Sequence, residues 1–187
     1  LGRSKEDDDF AGLSVLCDFM KTESSIQTLS LDLDDWGRGH TLFYEPLLLQ
    51  ALHSKTTLKT LYLHGFCWDD GGMALKELLA ASTALKSLDL KTFGSDHFDQ
   101  EWFPNLAEGF LLNQSIRSFK LTVDQDGDVE PDVFLDLSTV FQAMLERQTA
   151  DQVLNFAFHL SEKPITKTSW ESLNRLLEQP QSRLESL

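Results

Sequence analysis

The sequence is short of cysteine, of positive charge and of long apolar runs, and each shortage removes a class of protein. Two cysteines, Cys17 and Cys67, occur among 187 residues. One potential bridge is no disulfide framework, so a reducing, cytoplasmic setting is expected. Lys and Arg number 16 against 30 Asp and Glu, for a formal net charge of -14. That charge repels nucleic acid and anionic lipid at long range and favours a protein partner with a basic surface. No apolar run approaches the roughly 20 residues needed to cross a bilayer, and the opening LGRSKEDDDF lacks the apolar centre of a signal peptide. Neither a membrane nor a nucleic acid is therefore expected as partner. The chain begins without Met, which reads as an excised piece of something longer.

What is present is globular composition, 41% hydrophobic and 25% charged, arranged in a repeat. An apolar residue, two variable residues, an apolar residue, one variable and a further apolar residue occur in IQTLSL (Ile26, Leu29, Leu31) and LKTLYL (Leu58, Leu61, Leu63). The same spacing recurs in LKSLDL (Leu85, Leu88, Leu90) and IRSFKL (Ile116, Phe119, Leu121). A weaker copy is VLNFAF, and a sixth begins at Leu184. A stretch with helical three- and four-residue apolar spacing lies ahead of each copy, as in MALKELLAAS and NLAEGFLLNQ. The repeating unit is thus a short strand and a helix.

These residues resemble the leucine-rich repeat family, and within it the long, helix-containing repeats of the ribonuclease-inhibitor-like class. The nearest unit is LKTLYLHGFCWDDGGMALKELLAAS, and the likeness runs over roughly residues 10 to 187. The resemblance implies an α/β leucine-rich-repeat solenoid, with a curved parallel sheet on the concave side and helices on the convex side. Residues 1–25 would be an N-terminal segment and leading helix, and 26–187 about five units with the last strand truncated. One family mark departs: the ninth position of the unit, where Asn or Cys is usual, holds Asp34, Phe66, Phe93, Asp124 and Ser161, with Cys67 one place late. The loops after the strands are therefore expected to turn differently.

If the apolar positions face the helices, the residues between them face the open side, because side chains alternate along a strand. A first column reads Thr28, Thr60, Ser87, Ser118, Asn155 and Ser186, comfortable on a solvated strand face. The second and third bring together Tyr62, His64, Asp89, Lys91 and Lys120. Tyrosine offers contact area at low entropy cost and charges set register, which suits a protein-binding patch. An equally weighted reading is a solvated face on which Asp89 and Lys120 merely pair.

The five strand-to-helix segments carry -12 of the net charge, and residues 122–136 alone carry -6. Asp124, Asp126 and Asp128 lie in that run and join the candidate protein-binding residues. Carboxylates ahead of helix N-termini also serve as caps, and Asp69 and Asp70 read that way. The loop aromatics Trp36, Phe66, Trp68, Phe93, Phe98 and Trp102 are expected mainly to fold back over the core.

Chemistry is sought without success. Counted from Asp124, a calcium loop would need Gly at Val129 and Glu at Leu135. His64 and His159 share a column but stand roughly 14 Å apart, too far for one metal. Cys67 is three residues from His64, but neighbouring positions at a strand end diverge, so an idle thiol is expected. There is no GxGxxG, phosphate loop or GxSxG. No catalytic residue, cofactor or metal is expected.

The function expected is protein–protein interaction through the concave face and the acidic loops. The resemblance also allows a substrate-recognition part of a larger ubiquitin ligase, or a bacterial effector acting in host cytoplasm. Repeat arrays with uncovered terminal strands tend to self-associate. Light scattering is expected to show weak dimerisation at high concentration, and a strictly monomeric solution counts against it.

Overall fold

The computed structural model describes residues 5–33, 45–53, 55–66, 68, 70–93, 101–124, 139–140, 143 and 155–160. In chain order these form α1 (Lys5–Thr22), β1 (Thr28–Asp32), α2 (Glu45–Leu52), β2 (Thr60–Phe66), α3 (Met73–Ala81), β3 (Ser87–Phe93), α4 (Trp102–Leu112), β4 (Ser118–Asp124) and β5 (Asn155–Leu160). Thr139, Val140 and Ala143, between β4 and β5, are also helical. The five strands form one sheet in the order of the chain, every neighbouring pair parallel. Parallel neighbours require a crossover, and the intervening helices supply it. Among the described residues no helix is long and apolar enough to cross a membrane.

The apolar spacing of the sequence becomes the core. Leu61, Leu63, Leu88, Leu90, Phe119 and Leu121 are each at most 1% exposed, and they share one cluster with Leu75, Leu79, Leu106 and Phe110 of the helices. Full burial of one such side chain is worth about 1.5–3 kcal/mol relative to exposure. In α3 the buried residues Ala74, Leu75, Leu78 and Leu79 fall on one helical face. Successive helices α1 to α4 touch in sequence, so they line one side of the sheet. Gly109 permits the close approach of α4 to α3, because a Cβ there would stand 2.9 Å from Leu79 Cδ1 and 3.1 Å from Lys76 Cα.

Strand β2 breaks its alternation at the end. The register shifts between His64 and Phe66, around Gly65 in the left-handed region at φ 74°. The bulge sends Phe66 into the core, where it is fully buried and stacks on Trp68 with ring centroids 5.1 Å apart. Phe66, at the ninth position of its unit, thus closes this loop by aromatic stacking. Trp68 itself has φ 57°, an uncommon conformation for a side chain of its size, and its burial among Phe66 and Trp102 offsets the strain. The Asp70 carboxylate then accepts the amides of Gly72 and Ala74, both at 2.9 Å, and caps α3. Gly72 must be glycine here: its φ is 75° and a Cβ would meet Trp102 Cδ1 at 2.9 Å.

Polar stitches tie two of the described helix-to-strand turns, those before β2 and β4, to the turn before each. The Thr57 hydroxyl lies 2.9 Å from the Ile26 carbonyl, and the Ser115 hydroxyl 2.7 Å from the equivalent carbonyl of Leu85. Asn113 Nδ2 donates to Leu79 O and Ser82 O at 2.8 and 2.9 Å, while its Oδ1 accepts the amides of Ser115 and Ile116. Buried Lys55 donates to the carbonyls of Lys21 and Glu23 at 2.9 and 2.7 Å, completing the C-terminus of α1. Asn113 is 1% exposed, so its loss leaves several buried groups without partners. Asn113→Ala is expected to lower the free energy of unfolding in urea by about 2–4 kcal/mol.

Candidate functional site

The face of the sheet opposite the helices carries the polar members of the strand motif. Parallel register sets Tyr62 beside Asp89 and Asp89 beside Lys120 in one row; Asp32, His64, Lys91 and Thr122 form the next. Tyr62, His64, Asp89, Lys91 and Lys120 are all half-buried, neither core nor freely solvated. The five residues singled out on these strands thus meet on one patch.

Asp89 is the centre of the patch. Its side chain is 14% exposed, and Oδ2 accepts a bond from Lys120 Nζ at 3.2 Å, across adjacent strands. Its other oxygen, Oδ1, faces His64 Nε2 at 3.8 Å, an approach too long for a hydrogen bond. Both atoms are buried, and neither makes a hydrogen bond among the described residues. The expected pairing of Asp89 with Lys120 is therefore present, but it uses only half of the carboxylate. The patch is charge-balanced: Asp32 and Asp89 against Lys91 and Lys120.

Asp124 ends β4, paired with Phe93 at the backbone, but its side chain lies outside the described residues, as do Asp126 and Asp128 entirely. Cys67, Trp36 and Phe98 lie outside them too, and so does the side chain of Phe93. Of the remaining loop aromatics, Phe66, Trp68 and Trp102 are at most 1% exposed and fold back over the core as expected. They offer a partner nothing. Burial in α1 pushes the Cys17 thiol above its ordinary range, partly countered by nearby Lys21. Among the described residues no group of three His, Cys, Asp or Glu gathers as a metal site.

The second position of the strand motif lies outside the apolar rhythm and is polar as well. Gln27, Lys59, Lys86 and Arg117 occupy it in four successive units. Their signal in the sequence is the column itself, visible across the units rather than along the chain.

No family model matches the sequence, and no curated protein matches it. Among solved structures, that of Leiomodin-1 Actin-Binding Site 2 (ABS2) is similar, with a TM-score of 0.55 and 15% identity over 94% of this chain and 89% of that one. The likeness is one of fold. At 15% identity the Leiomodin-1 fragment supports an α/β repeat arrangement of alternating strands and helices for this chain and carries no residue across.

The Asp89–Lys120 bond is open to direct measurement. A double-mutant cycle with Asp89→Asn and Lys120→Gln, read by urea denaturation, is expected to give a coupling of about 0.5–1 kcal/mol, since Lys120 is 42% exposed. A coupling of zero means that the pair does not hold the two strands together.

Proposed function

We propose that the chain is a leucine-rich repeat protein of the ribonuclease-inhibitor-like class. In this reading it is a curved solenoid that recognises a partner protein through the concave face of its sheet. The residues that carry recognition are Tyr62, His64, Asp89, Lys91 and Lys120. The supporting observation is the contrast between the two faces: one is sealed by helices over buried leucines, while the other presents a half-buried, charge-balanced row centred on Asp89. Tyr62 supplies contact area there, and the Asp89–Lys120 pair, with His64 beside it, supplies the polar pattern that fixes a partner's register.

In the same reading the acidic strand-to-helix segments, with Asp124, Asp126 and Asp128, extend the surface and draw in a partner with a basic patch. The protein works by binding, without catalysing a reaction, in the cytoplasm. The Leiomodin-1 fragment is by its own name an actin-binding site. A fold of this kind therefore serves protein binding in that case, and purified actin is the first bait to try here, although fold alone does not transmit a partner.

Affinity capture on actin, and then on extract of the source cells, is expected to yield a protein whose binding weakens tenfold or more with Tyr62→Ala and with Asp89→Lys. That is the scale of losing a central aromatic or reversing a central charge, about 1.4 kcal/mol. Unchanged capture by both variants removes the open face from consideration.

A further inference from the structure

The second position of the strand motif makes a column of a different kind. Gln27, Lys59, Lys86 and Arg117 stand there, each directly ahead of a hydroxyl residue: Thr28, Thr60, Ser87 and Ser118. Backbone bonds hold the column in line. The Lys59 amide donates to Gln27 O at 2.8 Å, Lys86 to Lys59 O at 2.7 Å, and Arg117 to Lys86 O at 2.8 Å. Three cations therefore occupy neighbouring strands, one strand spacing of roughly 5 Å apart at the backbone. Lys59 and Lys86 are exposed and Arg117 is half-buried.

Among the described residues none of the three reaches a carboxylate. Lys59 Nζ bonds the neutral Oε1 of Gln27 at 3.0 Å. Arg117 Nη1 donates to the carbonyls of Gln114 and Ile116 at 3.0 and 2.9 Å. Lys76 and Lys120, by contrast, are paired with Glu108 and Asp89. Like charges at this spacing repel, and in a chain with 30 acidic residues against 16 basic ones a run of three adjacent cations stands against the overall field.

We propose that Lys59, Lys86 and Arg117, with the hydroxyls of Thr60, Ser87 and Ser118 beside them, form a strip that binds an acidic polypeptide segment. The segment would lie across the strands at their N-terminal ends. Each cation offers a carboxylate a charge-assisted donor, and the hydroxyls at the strand starts add neutral donors along the row. Charge chooses between anions. A long polyanion such as a nucleic acid meets the field of the whole molecule, net -14. A short acidic segment instead sits within about one Debye length, ~8 Å at physiological salt, of the cations. The strip lies at the entrance of the strands, its cations three residues before the Asp89 row, and rests on residues other than those proposed for that patch.

Fluorescence anisotropy of the full chain tests this with a fluorescein-labelled peptide of alternating Glu and Gly, its Gln counterpart, and a short single-stranded oligonucleotide. The Glu peptide is expected to bind the parent chain and Lys76→Gln, which matches the single variant Lys86→Gln in charge, equally. It should bind the triple variant Lys59→Gln, Lys86→Gln, Arg117→Gln about tenfold more weakly, and lose affinity as salt rises. The single variant Lys86→Gln, at an exposed position in the middle of the row, is expected to lose about threefold and serves if the triple variant does not fold. Equal binding by Lys86→Gln and the parent, no preference for the Glu over the Gln peptide, or tighter binding of the oligonucleotide each overturns the proposal.

Discussion

Parallel pairing in chain order is the constraint on which the rest depends. A single strand and helix leave their apolar faces in water, and burial is reached only when the next unit lies alongside. Because each strand pairs with its successor without an offset over most of its length, equivalent positions of every unit fall side by side. A leucine placed at one position becomes a row of core, and a polar residue placed between two leucines becomes part of a surface row. The Asp89 patch and the cation column both come from this single geometric fact.

Much of this was legible in the sequence because the period is short and the pattern repeats. The strand cores, the two-residue alternation and the identity of the open-face columns follow from spacing, and in β1 to β4 they were found where expected, whereas Ser186, the sixth copy at Leu184 and most β5 side chains lie outside the described residues. The irregular places follow from singular residues and were not legible. The bulge at Gly65 converts Phe66 from a loop residue into core, and the left-handed Trp68 closes the stack behind it. The stitches at Thr57, Asn113 and Ser115 were missed for another reason. They sit in the turns from helix to strand, whereas the family resemblance drew attention to the turns on the opposite edge, and a lone Asn among polar neighbours carries no periodic signal.

Charge is distributed less evenly than the total suggests. The Asp89 patch balances internally, and the entrance of the strands is positive across three units, although the chain as a whole is strongly acidic. The alternating segments after the strands hold nearly all the excess acid. Among the described residues the charge is thus locally patterned rather than uniformly negative, and association with a charged partner depends on which part of the surface it meets.

The stitches have an evolutionary corollary. Every one of them reaches only to the adjacent unit, and Thr57 and Ser115 grip corresponding carbonyls, those of Ile26 and Leu85. No bond in the set spans two units or closes the array upon itself. A gene that duplicated or dropped one such block would therefore disturb only the two junctions at the splice, so the length of the array is free to drift while its internal design persists.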